Sequence, residues 1–160
     1  IYATMNSADQ GVYPLDTAFR RRWIQDYIEI DYAKAPAGNV LIATAPGNAV
    51  AVPWAQFVKV LNDHLTGLGH IHEDRLVGPW FLADWEIKEA KRLPGKLLIY
   101  LWDDLLRHDG RGYVFATDTI ATYGSLSTAV SLDKVIFAEE LLGKITLGIP
   151  AAVAGQNAGA

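Results

Sequence analysis

The chain has no cysteine among its 160 residues, which excludes disulfides and cysteine-ligated zinc and fits a reducing, cytoplasmic setting. It lacks a run of ~20 apolar residues, so no membrane-spanning helix is expected, and no signal-peptide pattern opens it. A P-loop is missing too. The pairs Gly95-Lys96 and Gly143-Lys144 are followed by Leu97 and Ile145, whereas phosphate cradling needs an upstream glycine and a Ser or Thr after the lysine. These pairs read instead as a helix start and a loop. Positive charge is not in excess: the formal net charge is −4, which gives no general attraction to nucleic acid beyond a local basic edge at residues 20–22. With 51% hydrophobic and 20% charged residues, the composition is that of a globular chain long enough for one core or two small subdomains.

Residues 1–5 form a short apolar stretch with β-formers, ending at the turn and cap residues Asn6-Ser7-Ala8-Asp9-Gln10-Gly11. Asn6 is therefore expected at a strand tip. Pro14 suits the first turn of a helix with an apolar side at Leu15, Ala18 and Phe19, and Arg20, Arg21 and Arg22 collect in its last turn, where cations favour the helix dipole. Adjacent helical residues point about 100° apart, so the three arginines cannot all face one phosphate. Residues 23–32 alternate partly and read as a further core strand. Val40 to Ala43 and Val50 to Val52 flank Pro46-Gly47-Asn48 as a β-hairpin. From Pro53 the period becomes helical, with Trp54, Phe57, Val58, Leu61 and Leu65 on one stripe ended by Gly67 and Gly69. Further helices are expected within residues 73–82, over 94–107 and within 128–142. The Ala- and Gly-rich tail from residue 149 is expected to be disordered.

Leu98-Ile99-Tyr100-Leu101-Trp102-Asp103-Asp104 superficially resembles a hydrophobic strand ending in magnesium-binding acids. However, Leu98, Leu101, Trp102 and Leu105 recur at one-helix-face spacing, which favours a helix with solvated aspartates. His70-Ile71-His72-Glu73 has a generic spacing for metal ligation, and surface histidines are commoner, so no metal site is assigned.

The run Thr4-Met5-Asn6-Ser7-Ala8-Asp9, followed by Leu15-Asp16-Thr17-Ala18-Phe19-Arg20-Arg21-Arg22-Trp23, resembles the sensor-1 and arginine-finger stretch of McrB-like AAA+ proteins, the NTP-driven motor subunits of modification-dependent restriction systems. Gln10 stands where that family has an arginine. Looser similarity extends to residues 73–82 and 96–115, which resemble the family's helical lid. The resemblance implies an α/β chain: the C-terminal portion of an AAA+ core over 1–35, with the last strands of a parallel sheet plus a helix. A linker and β-hairpin insertion over 36–53 and a mainly α-helical lid subdomain over 54–148 would follow, with the tail over 149–160.

By the same resemblance, Asn6 is a γ-phosphate sensor, although its residue type also suits a turn cap, and Asp9 is equally a functional or a loop-stabilising acid. Arg21 and Arg22 become finger candidates acting on a neighbour's nucleotide, beside the simpler reading of a solvated basic turn. No sensor-2 arginine lies within Gly78-Pro79-Trp80-Phe81, which leaves Arg75 as a weak candidate for phosphate contact and gives the motif a packing role. The implied cofactor is GTP or ATP with Mg2+, the implied partners a homo-oligomeric ring and a nuclease subunit acting on foreign DNA, with DNA held elsewhere in the complete protein. Because the chain opens at Ile1 inside an apolar stretch and lacks a P-loop, it reads as the C-terminal part of a longer protein, inactive alone. The alternative is an oligomerisation or partner-binding module with vestigial nucleotide chemistry. A third reading, DNA binding through residues 20–22, is disfavoured by the overall acidity.

Overall fold

The computed structural model describes residues 18, 21–24, 26–89 and 92–147, apart from the Glu89 side chain. The expected strand tip with Asn6 and Asp9, the Gln10 departure, Arg20 and the tail from residue 149 lie outside the described residues.

Strands β1 (Asn39–Ala45) and β2 (Asn48–Pro53) form the hairpin expected from the sequence. They pair antiparallel with Val40 opposite Val52 and Ile42 opposite Val50, so the β-branched residues share the inward face. Pro46 and Gly47 make the two-residue connection, with Gly47 at φ +75°, and the register shifts between Ala43 and Ala45. At the open end, the Trp54 N–H donates to the Gly38 carbonyl at 2.9 Å, tying the hairpin to the helix that follows.

Helix α1 (Trp54–Gly67) is the central element. Its Trp54, Phe57, Val58, Leu61 and Leu65 are all fully buried, the 3.6-residue stripe read from the sequence. It stops where Gly69 adopts φ +75°. Phe57 meets Trp54 and Phe137 with ring centroids 5.9 Å apart in each pair, and Phe115 continues the aromatic row to Trp102 at 5.2 Å. One hydrophobic cluster thus runs from the hairpin through α1 to the C-terminal helices.

The remaining elements are short. Helix α2 (Asp84–Glu89) opens with the Ala83 N–H donating to the Glu86 carboxylate at 2.8 Å, half of a capping box. Helix α3 (Gly95–Ile99) runs directly into a π-helical turn (Tyr100–Leu105), in which the Leu106 N–H reaches back five residues to Leu101. Leu98, Leu101, Trp102 and Leu105 are buried and Asp104 faces solvent, so the segment is helical and not a strand ending in magnesium-binding acids. Helix α4 (Arg111–Val114) leads to a bridge between Phe115 and Phe137. Helix α5 (Tyr123–Ser131) carries a Thr122/Ser125 capping box, and α6 (Glu139–Leu147) is the last described element.

Three expectations are corrected. The segment 73–82 holds only a 3-10 turn (Glu73–Arg75), because Gly78 and Pro79 interrupt any longer helix, and the regular helix lies later, at α2. The single helix expected within 128–142 is two, parted where Asp133 takes φ +50° and Phe137 joins the bridge. Gly143-Lys144 sits inside α6 and not in a loop; burial of Leu141 and Ile145 on its inner face outweighs the poor helix propensity of glycine. The described residues between 23 and 31 form no ladder with other described residues.

Gly38 shows how closely hairpin and helices meet. Its φ is +152°, and a Cβ there would overlap Ile87 Cγ2 of α2. Gly38→Ala is expected to cost about 2 kcal/mol in chemical denaturation. Gly47→Ala, which also meets positive φ but opens onto empty space, should cost about 1 kcal/mol.

Candidate functional site

Ala18 is helical, and Arg21 and Arg22 follow it in a turn with their side chains exposed. No ion pair with another described residue engages either guanidinium. Downstream, Ile24 is 95% and Ile28 is 87% exposed, with Tyr27 also largely in solvent. Tyr27 donates to Glu73, a bond that holds its phenol pKa above the ordinary value and links this extended segment to the 3-10 turn.

The stretch 75–79 is fastened to the body by side chains reaching backbone atoms. Asn62, almost fully buried on α1, accepts from the Val77 N–H and donates to the Val77 carbonyl, both at 2.9 Å. The same amide nitrogen lies 3.0 Å from the Tyr32 hydroxyl. Trp54 Nε1 donates to the Pro79 carbonyl at 2.8 Å, and the Tyr100 hydroxyl donates to the Arg75 carbonyl at 2.7 Å. Burial pushes the Tyr100 phenol pKa up, so the donor proton is retained at neutral pH. Three side chains from two elements, α1 and the π-helical turn, therefore hold an otherwise irregular segment in one conformation. The result is a rigid platform for Arg75 and for Trp80, which is 61% exposed.

Arg75 is half-buried and lines a cleft of about 240 Å³ with His70, Asp103, Asp104, Arg107 and Asp109. Three carboxylates against two guanidiniums make this cleft a poor receiver for a bare phosphate, because the acids repel the same charge that the arginines attract. The other two candidates, Asn6 and Asp9, lie outside the described residues. No group of three His, Asp or Glu side chains suited to a metal ion occurs among the described residues. His70 is occupied with the Leu68 carbonyl at 3.1 Å.

Asn62 and the tyrosine and tryptophan donors are absent from the sequence-based candidates. The available signal was positional: Asn62 falls on the apolar stripe of α1, eight residues after Trp54 and four after Val58, where a polar residue must find partners to be buried.

Surface carboxylates are also engaged. The Ala83 N–H holds the Glu86 carboxyl below its ordinary value of 4.5, Arg92 holds Asp133 below 3.8, and Lys144 holds Glu140 below 4.5. A group lowered in the folded state contributes stability that is complete above its unfolded value and is lost as pH falls through the folded one. The denaturation midpoint is therefore expected to be insensitive to these three groups down to about pH 5 and to drop below about pH 4. Glu86→Gln should flatten part of that acid limb.

No protein-family model matches the chain, and no solved structure matches it. Among the described residues, no helix is long and apolar enough to cross a membrane. The chain is similar to the type II restriction enzyme BsuMI component YdiS of Bacillus subtilis (strain 168), with 42% identity over 110 residues. That match takes in 68% of this chain but 32% of YdiS, so the chain spans about a third of the length of its curated relative, and the similarity links it to a restriction-system component.

Proposed function

We propose that this chain is the sensor, arginine-finger and lid part of an NTP-driven motor in a restriction system of the McrB-like AAA+ type. The observation that carries the reading is the 42% identity to a restriction enzyme component, joined to the ungapped sequence run through Asn6, Asp9, Arg21 and Arg22. In this reading GTP or ATP with Mg2+ is gripped mainly by a region of the complete protein outside this chain. The nucleotide phosphates would be contacted from this side by Asn6 and by arginines acting across a subunit boundary. The exposed guanidiniums of Arg21 and Arg22 suit that role, since they are free to meet an anion supplied by a neighbouring subunit. The motor would form a homo-oligomeric ring and drive a nuclease subunit against foreign DNA. Arg75 is the weaker member of the set, given the aspartates that share its cleft.

The test is magnesium-dependent GTP and ATP hydrolysis by this chain and by a form extended upstream through the nucleotide-gripping region. Turnover in the extended form alone supports the motor reading, whereas turnover by the short chain removes it.

A specific observation favours a second reading, a partner-binding or oligomerisation module. Ile24, Ile28, Trp80 and Trp85 leave large apolar surfaces in solvent, which a subunit interface would cover. Association of this chain without nucleotide in sedimentation, together with no turnover by the extended form, would make that reading the better one.

A further inference from the structure

We propose that Arg111 is the pin that holds residues 100–105 in the π form, and that its release lets the turn fall back to α-helical bonding and reshapes the cleft beside Arg75. The turn is a choice between two acceptors for one donor. The Leu106 N–H donates to the Leu101 carbonyl, five residues back, at 3.0 Å. In an α-helix the same N–H would reach four residues back, to the Trp102 carbonyl. That carbonyl is instead satisfied from outside the helix, by Arg111 Nε and Nη2, which donate to it at 3.2 and 3.1 Å. The guanidinium thus gives Trp102 the partner that Leu106 withholds.

The same side chain grips the Trp102 ring. Its guanidinium carbon lies 4.6 Å from the indole centroid, and the ring in turn meets Phe115 at 5.2 Å. Arg111 is itself placed by Gly110, whose φ of +89° carries the chain so close to Leu106 and His70 that a Cβ would lie within 3.3 Å of both. A second station is at hand: the Asp103 carboxylate stands 4.0 Å from Arg111 Nη2, and drawing the guanidinium onto it would free the carbonyl. Trp102 is only 3% exposed, so a freed carbonyl would lack a partner until the Leu106 N–H moves to it. If the N–H groups before Leu106 step by one residue in the same way, no carbonyl within the turn is orphaned.

An α-turn holds fewer residues and rises 1.5 Å for each, so the step rotates and advances residues 104–106, and the exposed residues 107–109 take up the difference. Tyr100 stands at the start of the turn, its N–H bonded back to Lys96 and Leu97, and its hydroxyl keeps the Arg75 carbonyl. Asp104 and Asp109, which line the cleft with Arg75, therefore move while Arg75 stays. The turn is a two-position element that sets which charges face Arg75. This device is built from the chain's own contacts and stands whether or not the motor reading holds.

Scalar couplings across hydrogen bonds, measured by NMR on the isotopically labelled full chain, identify the carbonyl that each amide reaches. In the parent, the Leu106 amide nitrogen is expected to couple to the Leu101 carbonyl carbon. Arg111→Met keeps an unbranched side chain beside the ring but has no donor for the carbonyl. Its Leu101 coupling should fall at least fivefold and a coupling to Trp102 should replace it, with amide shifts confined to residues 102–110. Arg111→Ala removes the stem as well and should give the same transfer. Leu106 coupled to Leu101 alone in either variant overturns the proposal, as does a parent chain already coupled to Trp102. So does a folded variant whose Leu106 amide couples to neither carbonyl, which would make Arg111 a general support and not a selector between two helix forms.

Discussion

Replacing Arg21 and Arg22 together by alanine in the complete protein is expected to lower magnesium-dependent NTP turnover by about 10³-fold or more, with nucleotide affinity changed by less than about tenfold. The magnitude follows from where charge develops. In phosphoryl transfer the equatorial oxygens carry spread negative charge at the transition state, and a guanidinium supplied by a neighbouring subunit stabilises it more than it stabilises the bound ground state. Both guanidiniums stand exposed in a turn, so the substitutions should leave the body of the fold intact; an unchanged melting temperature is the control. The single variants divide the effect, because neighbouring positions project in different directions and one of the two should account for most of it. Turnover within threefold of the parent in the double variant would remove the finger assignment. Mixing inactive finger variants with subunits defective in nucleotide binding should restore part of the activity if the arginine acts in trans, and no recovery would place it in cis.

Asn62→Leu is expected to destabilise the chain by about 3 kcal/mol or more, lowering Tm by about 10 °C. Leucine fills a similar volume on the same apolar stripe, so burial of hydrophobic surface is not what is lost. The loss is polar: the Val77 N–H and carbonyl and the Tyr32 hydroxyl each forfeit a partner, and the Val77 bonds lie in the buried interior. Unmet groups of this kind cost about 1–3 kcal/mol each. Asn62→Asp keeps the acceptor for the Val77 N–H but sets a carboxylate against the Val77 carbonyl, and should also destabilise. The neighbouring exposed Asp63→Ala serves as the contrast, with an expected change within about 1 kcal/mol, since its partner is the equally exposed Lys59. A neutral Asn62→Leu would mean that water readily replaces the amide and that the segment 75–79 is not held as the distances indicate. If the motor reading holds, partial loss of this clamp should also lower turnover below the melting range, because Arg75 and Trp80 would no longer be held by the same platform.

The central helix and the hairpin were legible because their signals are local. Trp54, Phe57, Val58, Leu61 and Leu65 repeat at the helix period over three turns, and Pro46-Gly47 joins two β-branched runs with a connection whose positive φ suits glycine. The helical nature of residues 98–105 was legible for the same reason, although its shift to π-type hydrogen bonding was not, since one extra residue in a turn leaves the apolar spacing nearly unchanged. The division at Asp133 was missed because no Pro or Gly marks it. There the chain breaks to pair Phe115 with Phe137, residues twenty-two positions apart, and that pairing has no local trace.

Local spacing set the globular class, the hairpin, the stripe on α1 and the basic turn that carries Arg21 and Arg22, because each depends on residues only a few positions apart. Tertiary structure alone decided what the buried polar residues do. Asn62 and His64 sit on an apolar helix face, and their partners come from residues 77 and 113, with Lys144 eighty positions from His64. A buried polar group must be satisfied by whatever the fold brings to it, and that depends on how distant segments pack against the helix face that carries it.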